Sequence, residues 1–232
     1  MCVAILKTKG NRITKKELLQ AWKTNSDGAG IAWASKGKLN IVKSYNADGS
    51  MMDADTFVKQ AVKLQGKFID ENMLIHFRIA TQGRDELGNP DVANCHPFIV
   101  NKDVCFIHNG MINMPYSKLV SDTRLFNRDY LRALPFKFKL GNKAMRKLIE
   151  NKIGQSKLIF LDSKGEYEIM NESFGSWEKG NWFSNRNHCP LRHRVFSFSN
   201  ALQSNQDSKS LEDKWAKEDA EWDALEEEFK LR

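Results

Sequence analysis

Three pairs of apolar segments in this chain are each split by a short polar turn, and this constrains the fold more than any other feature. Residues 28–34 ("GAGIAWA") and 39–45 ("LNIVKSY") flank "SKGK". Residues 96–100 ("HPFIV") and 104–108 ("VCFIH") flank "NKD", and residues 156–162 ("SKLIFLD") and 166–171 ("EYEIMN") lie around "SKGE". Apolar runs this short, joined by Gly-, Asn- or Asp-containing turns, predict antiparallel hairpins. Residues 2–6 ("CVAIL"), 72–81 ("NMLIHFRIAT"), 181–185 ("NWFSN") and 194–199 ("RVFSFS") read as further strands.

Helices separate these groups. In residues 14–22 the apolar positions follow helical spacing, with Thr14 as N-cap and Glu17 at the capping-box position. Residues 53–64 form an amphipathic helix capped by Asp53 or Asp55. Residues 121–134 and 142–152 read as two more. No alternation of strand and crossover helix forces a parallel sheet, so the fold class predicted from the residues is α+β with antiparallel sheets.

The tail, residues 205–232, has a different character. Leu211, Trp215, Trp222, Leu225 and Phe229 fall on one helical face, interrupted by Glu218. This acidic amphipathic helix either packs on its own domain or docks on a partner through its two Trp. Charge follows the same division. The chain carries +7 overall, but residues 207–232 hold ten acidic and five basic side chains, so the rest, with 31 basic and 19 acidic, carries +12. Such a body could favour anionic partners, nucleic acid among them. The cations are dispersed, however, with one cluster at residues 128–152, and a lysine-rich solvated surface is the favoured reading.

Several classes are excluded or disfavoured. No run of eighteen apolar residues is present, so no membrane-spanning helix is expected. The first residues lack a secretory-signal pattern, and four cysteines in 232 residues do not make a disulfide framework. A reducing cytoplasm is the expected setting. Cys95, His96, Cys105 and His108, or His188, Cys189 and His193, could be drawn as zinc ligands. Adjacent Cys and His chelate poorly, no C-x-x-C pair exists, and Cys105 should point away from the Phe106 face, so no metal is expected.

Chemistry-bearing residues occur in an ordered series. Cys2 directly follows the initiator Met. After it come "DGAGIA" (27–32), "HFRIATQG" (76–83), "NCHP" (94–97), "HNG" (108–110) and "SDT" (121–123). Singly these are ordinary turn or strand fragments. In this order behind an N-terminal Cys they resemble the glutaminase domain of class II glutamine amidotransferases, a group of N-terminal nucleophile hydrolases. The resemblance covers roughly the first two hundred residues. It implies a four-layer αββα sandwich of two antiparallel sheets, with residues 2–204 as the glutaminase domain and 205–232 as the added helix.

The implied activity is hydrolysis of the glutamine side-chain amide. Removal of Met1 would leave Cys2 with a free α-amino group, of pKa about 7.7–8.0, as its own proton carrier. By the resemblance, the Asn109 side chain and the Gly110 N–H would stabilise the oxyanion. Arg78 would fork onto the substrate carboxylate. Asp122 would accept from the substrate ammonium, unless it serves as a helix N-cap, or does both. Thr81, Gly83 and His96 would shape the pocket, His96 being the least specific. Arg124 departs from the acidic residue that often follows S-D-T in the family. No cofactor is implied. The ammonia would pass to an unidentified acceptor, perhaps through a separate synthase subunit, or be released. Hydrolysis of another γ-glutamyl amide, or a non-catalytic nucleic-acid-binding module of the same fold, are the alternatives.

Overall fold

The computed structural model describes residues 1–115, 117–134 and 138–189. The predicted tail helix, the strand expected at residues 194–199 and the boundary expected at residue 204 lie outside the described residues.

The hairpins form as predicted and assemble into two antiparallel sheets. The first six strands are β1 (Val3–Lys7), β2 (Ala29–Ser35), β3 (Lys38–Lys43), β4 (Met73–Phe77), β5 (Phe98–Asn101) and β6 (Val104–Asn109). They are followed by β7 (Lys157–Asp162), β8 (Tyr167–Met170), β9 (Ser176–Glu178) and β10 (Asn181–Phe183). One sheet has six strands in the order β3-β2-β4-β1-β10-β9, and the other has four in the order β5-β6-β7-β8. The short strand β9 was not foreseen. It has three residues and its Trp177 is exposed, so it carries no alternating pattern.

Four α-helices complete the described fold: α1 (Lys15–Thr24), α2 (Ala54–Lys67), α3 (Asp122–Phe126) and α4 (Lys143–Ile153). Thr14 and Glu17 form the reciprocal capping box at α1. At α2 the cap is Asp53, whose Oδ1 accepts from Thr56 N at 2.8 Å. The helix predicted through residue 134 is regular only over α3, then continues as a π-helical turn (Asn127–Leu131). Its N-cap is Ser121, whose Oγ accepts from Arg124 N at 3.2 Å, so the capping alternative for Asp122 is corrected. Asp122 is the first helical residue.

Strand alternation sorts the apolar residues into three clusters. Val3, Ile5, Ile31, Trp33, Ile75 and Phe77 pack with Leu18, Ala21 and Trp22 of α1 and Phe57, Val58 and Ala61 of α2. Phe98, Phe106, Leu158 and Phe160 pack with Phe126 of α3 and Met145, Ile149 and Ile153 of α4. The third cluster draws on strands of both sheets: Ala4, Leu6, Ala32, Leu74 and Trp182 from the first, Cys105, Ile107, Ile159, Leu161 and Ile169 from the second. Cys105 and Phe106 fall in different clusters, as period-two alternation requires. The buried Lys7 Nζ donates to the carbonyls of Phe68, Ile69 and Glu71, tying β1 to the turn after α2. Burial lowers its pKa to about 8.

Candidate functional site

The site lies where β1 begins and where β4 and β6 end. Antiparallel pairing sets Val3 opposite Phe77, which brings Cys2 alongside the residues that follow β4. Cys2 Sγ lies 3.5 Å from Ile79 N, which donates to it, and 3.7 Å from Ile79 O. The two sheets are joined here by His76 Nε2, 2.9 Å from the carbonyl oxygen of His108. Between these strand ends and the start of α3 is a cavity of about 100 Å³.

Six of the eight predicted site residues line this cavity: Cys2, Arg78, Thr81, His96, Gly110 and Asp122. Arg78 is 3% exposed. Its Nη2 donates to the carbonyls of Gln82 and Gly83, while Nη1 is buried without a hydrogen-bond partner. Carbonyl partners orient the guanidinium but leave its charge unneutralised. Across the cavity, Asp122 Oδ2 accepts from Ile112 N and Oδ1 from Thr123 N, both at 2.7 Å, which fixes the carboxylate.

Asn109 and Gly83 take other places. Asn109 Nδ2 donates to Ser184 Oγ at 2.7 Å, and its Oδ1 is buried without a partner. Ser184 Oγ also accepts from Ala4 N at 2.9 Å, so one hydroxyl ties the end of β6 to β1. Gly83 acts through its carbonyl on Arg78. Its φ of 69° suits glycine, and a Cβ would stand 2.6 Å from Asn94 Cγ. Gly110 has φ 143°, and a Cβ there would stand 2.3 Å from Ser156 Oγ. Only glycine carries the chain past Ser156 and along the cavity wall.

Further residues complete the site. Asn94, His108, Ser121 and Thr123 also line the cavity, and all four sit inside the ordered motifs. Asn94 Oδ1 accepts from Ser121 N, and Asn94 Nδ2 donates to Leu119 O and Asp91 Oδ2. Asn185 and Asn187 carried no sequence signal. Asn185 Nδ2 donates to Cys2 O at 2.6 Å and Asn187 Nδ2 to Met1 O at 3.2 Å, holding the carbonyls of the first two peptide bonds. The Met1 side chain is 71% exposed.

Burial dominates the electrostatics of the cavity. Burial raises the Cys2 pKa, against the Ile79 hydrogen bond, Arg78 and the amino terminus, which lower it; Asp122 raises it further. Burial is also the main cause lowering His76 to about 3 and His108 to about 4, and it holds His96 well below its ordinary value. The His76 and His96 rings lie 4.0 Å apart. Four ring nitrogens in this group have no partner: His76 Nδ1, both nitrogens of His96, and His108 Nε2. Among the described residues no imidazole hydrogen bonds to Cys2 Sγ, whose partner is the Ile79 backbone.

A larger groove, of about 460 Å³, is lined by Lys43, Phe98, Arg124, Arg128 and Arg132 among others. It holds no thiol or hydroxyl side chain, and two of its cations face acids: Arg128 with Asp129, and Arg124 with Asp91 at 3.8 Å. The smaller cavity is therefore the candidate active site. Cys95, His96, Cys105 and His108 do not gather as metal ligands. Among the described residues, the ligand-type side chains that do gather are Glu178, His188 and Cys189. All four cysteines are free, and Cys95, Cys105 and Cys189 are buried, as expected of small apolar side chains. No helix among the described residues is long and apolar enough to cross a membrane. No known family model matches the chain, and no curated protein matches it.

Proposed function

We propose that this chain is a cysteine amidohydrolase that cleaves the side-chain amide of glutamine, with Cys2 as nucleophile after removal of Met1. One observation carries the reading. A partly buried thiol shares a small cavity with a buried guanidinium that has a free Nη1 and, among the described residues, no carboxylate partner. A buried cation without a counter-charge is costly. An amino-acid carboxylate at Arg78 would neutralise it, and Asp122 would meet the ammonium. The three apolar clusters support the corresponding fold, a four-layer αββα sandwich with helices outside both sheets.

In this mechanism the Cys2 α-amino group takes the thiol proton as Sγ attacks the amide carbon. The carbonyl oxygen becomes an oxyanion facing the Gly110 N–H. Rotating the Asn109 amide by 180° lets the Ser184 hydroxyl donate to Oδ1 and frees Nδ2 as the second donor. The tetrahedral intermediate collapses as the amine returns the proton to the leaving nitrogen, which departs as ammonia. Water then cleaves the γ-glutamyl thioester, releasing glutamate and the thiol. The raised Cys2 pKa gives the amine its importance, since little thiolate would exist without a base. Ammonia release from glutamine by wild type and Cys2→Ala tests the reading: only the wild type is expected to release it, and equal release would refute the proposal.

A further inference from the structure

The segment that holds the N-terminus ends in a second cluster outside the cavity. His188 is fully buried, with Phe183 stacked on its ring at 3.7 Å. Its Nδ1 lies 3.0 Å from the carbonyl oxygen of Asn185. A carbonyl only accepts, so Nδ1 donates here. Nε2 lies 3.3 Å from Glu178 Oε2 and 3.3 Å from Cys189 Sγ. A single ion set among these three atoms would engage them all at once.

The spacing suits a metal ion. Tetrahedral zinc, with bonds of about 2.0–2.3 Å, separates a nitrogen ligand from sulfur by roughly 3.5 Å and from oxygen by roughly 3.4 Å. All three ligand atoms lie within 4.8 Å of one another. Adjacent His and Cys can converge here because the far nitrogen of the imidazole reaches back to Sγ. The carbonyl on Nδ1 is the kind of outer partner that fixes the tautomer of a metal-bound histidine.

We propose that Glu178 Oε2, His188 Nε2 and Cys189 Sγ bind one divalent cation of zinc-like softness. Binding forms one bond to each ligand and releases the Cys189 thiol proton to solvent. The ion joins β9 to residues 184–189, which supply Ser184 to Asn109, Asn185 to Cys2 and Asn187 to Met1. It is therefore a structural staple behind the N-terminal clamp and takes no part in the amide chemistry.

Cobalt(II) titration of the metal-free full-length protein tests this. One Co²⁺ per chain is expected, with a thiolate-to-cobalt charge-transfer band that zinc abolishes. The band should survive in Cys2→Ala and vanish in Cys189→Ser. No band in the wild type, or one that persists in Cys189→Ser, overturns the proposal. Glu178→Gln, on a partly exposed side chain, guards against misfolding of the cysteine variant. Its zinc affinity should fall at least about tenfold, and unchanged affinity also overturns the site. Cobalt binding that fails only in Cys2→Ala would place the metal at the cavity instead.

Discussion

The protein has two polar clusters built from the same residue types, and they treat hydrogen bonding in opposite ways. Around Cys2, Arg78 Nη1, Asn109 Oδ1 and four histidine nitrogens are buried without partners. Around Cys189, both nitrogens of His188 are engaged within 3.3 Å. Unmet polar atoms reduce stability, by about 1–3 kcal/mol each when neutral. A fold retains so many in one place where a ligand or ordered water completes them. The second cluster ties β9 to the residues that follow β10. The first is arranged for a substrate, the second for holding the chain.

The sharpest way to break this contrast is to remove the thiols separately. Cys2→Ala should reduce ammonia release at least about 10³-fold while its urea midpoint stays within error of wild type. Cys189→Ser should do the reverse, lowering the midpoint and leaving turnover per folded molecule within about threefold.

Acid should reach the first cluster next. His76 at about 3 and His108 at about 4 remain neutral in the folded protein, whereas in the unfolded chain they take up protons below about 6.5. The unfolded state then binds more protons, so stability falls as pH drops from 6.5 towards 4. At pH 5 the two together should cost about 4 kcal/mol relative to pH 7.5. Urea unfolding at both values measures it, and a flat profile would mean that these rings are protonated or hydrated when folded.

Smaller effects sharpen the roles inside the cavity. Arg78→Lys keeps the charge but loses the planar fork, so KM for glutamine should rise about 10–100-fold with little change in kcat. A fall confined to kcat would remove Arg78 from carboxylate binding. Ser184→Ala deletes the hydroxyl that accepts from Ala4 N and holds the Asn109 side-chain amide. It should cost about 1–3 kcal/mol of stability and lower kcat by misplacing Asn109.

Much of this was legible in the sequence because the signals are local. The hairpin turns, the Thr14–Glu17 box and the alternation that separates Cys105 from Phe106 depend on near neighbours. The ordered motifs reached most of the cavity for a related reason: strand ends carry their side chains to one end of paired sheets. What escaped depends on long-range contact. Asn185 meets Cys2, and Ser184 meets Asn109, only because β10 pairs with β1. The capping role of Ser121 rather than Asp122 was a one-residue ambiguity, since either side chain can serve as an N-cap. The sequence shows His188 and Cys189 as candidate ligands but not Glu178, because β9 has too few residues to show a period and only the fold brings it to them.

The most direct test of the central claim is to treat the purified protein with a glutamine-shaped diazoketone and map the adduct by peptide mass spectrometry. One adduct per chain is expected, on Cys2 of molecules that have lost Met1, with Cys95, Cys105 and Cys189 unlabelled and excess glutamine protecting. Retention of Met1 with an unmodified Cys2, or equal labelling of the buried cysteines, would contradict it.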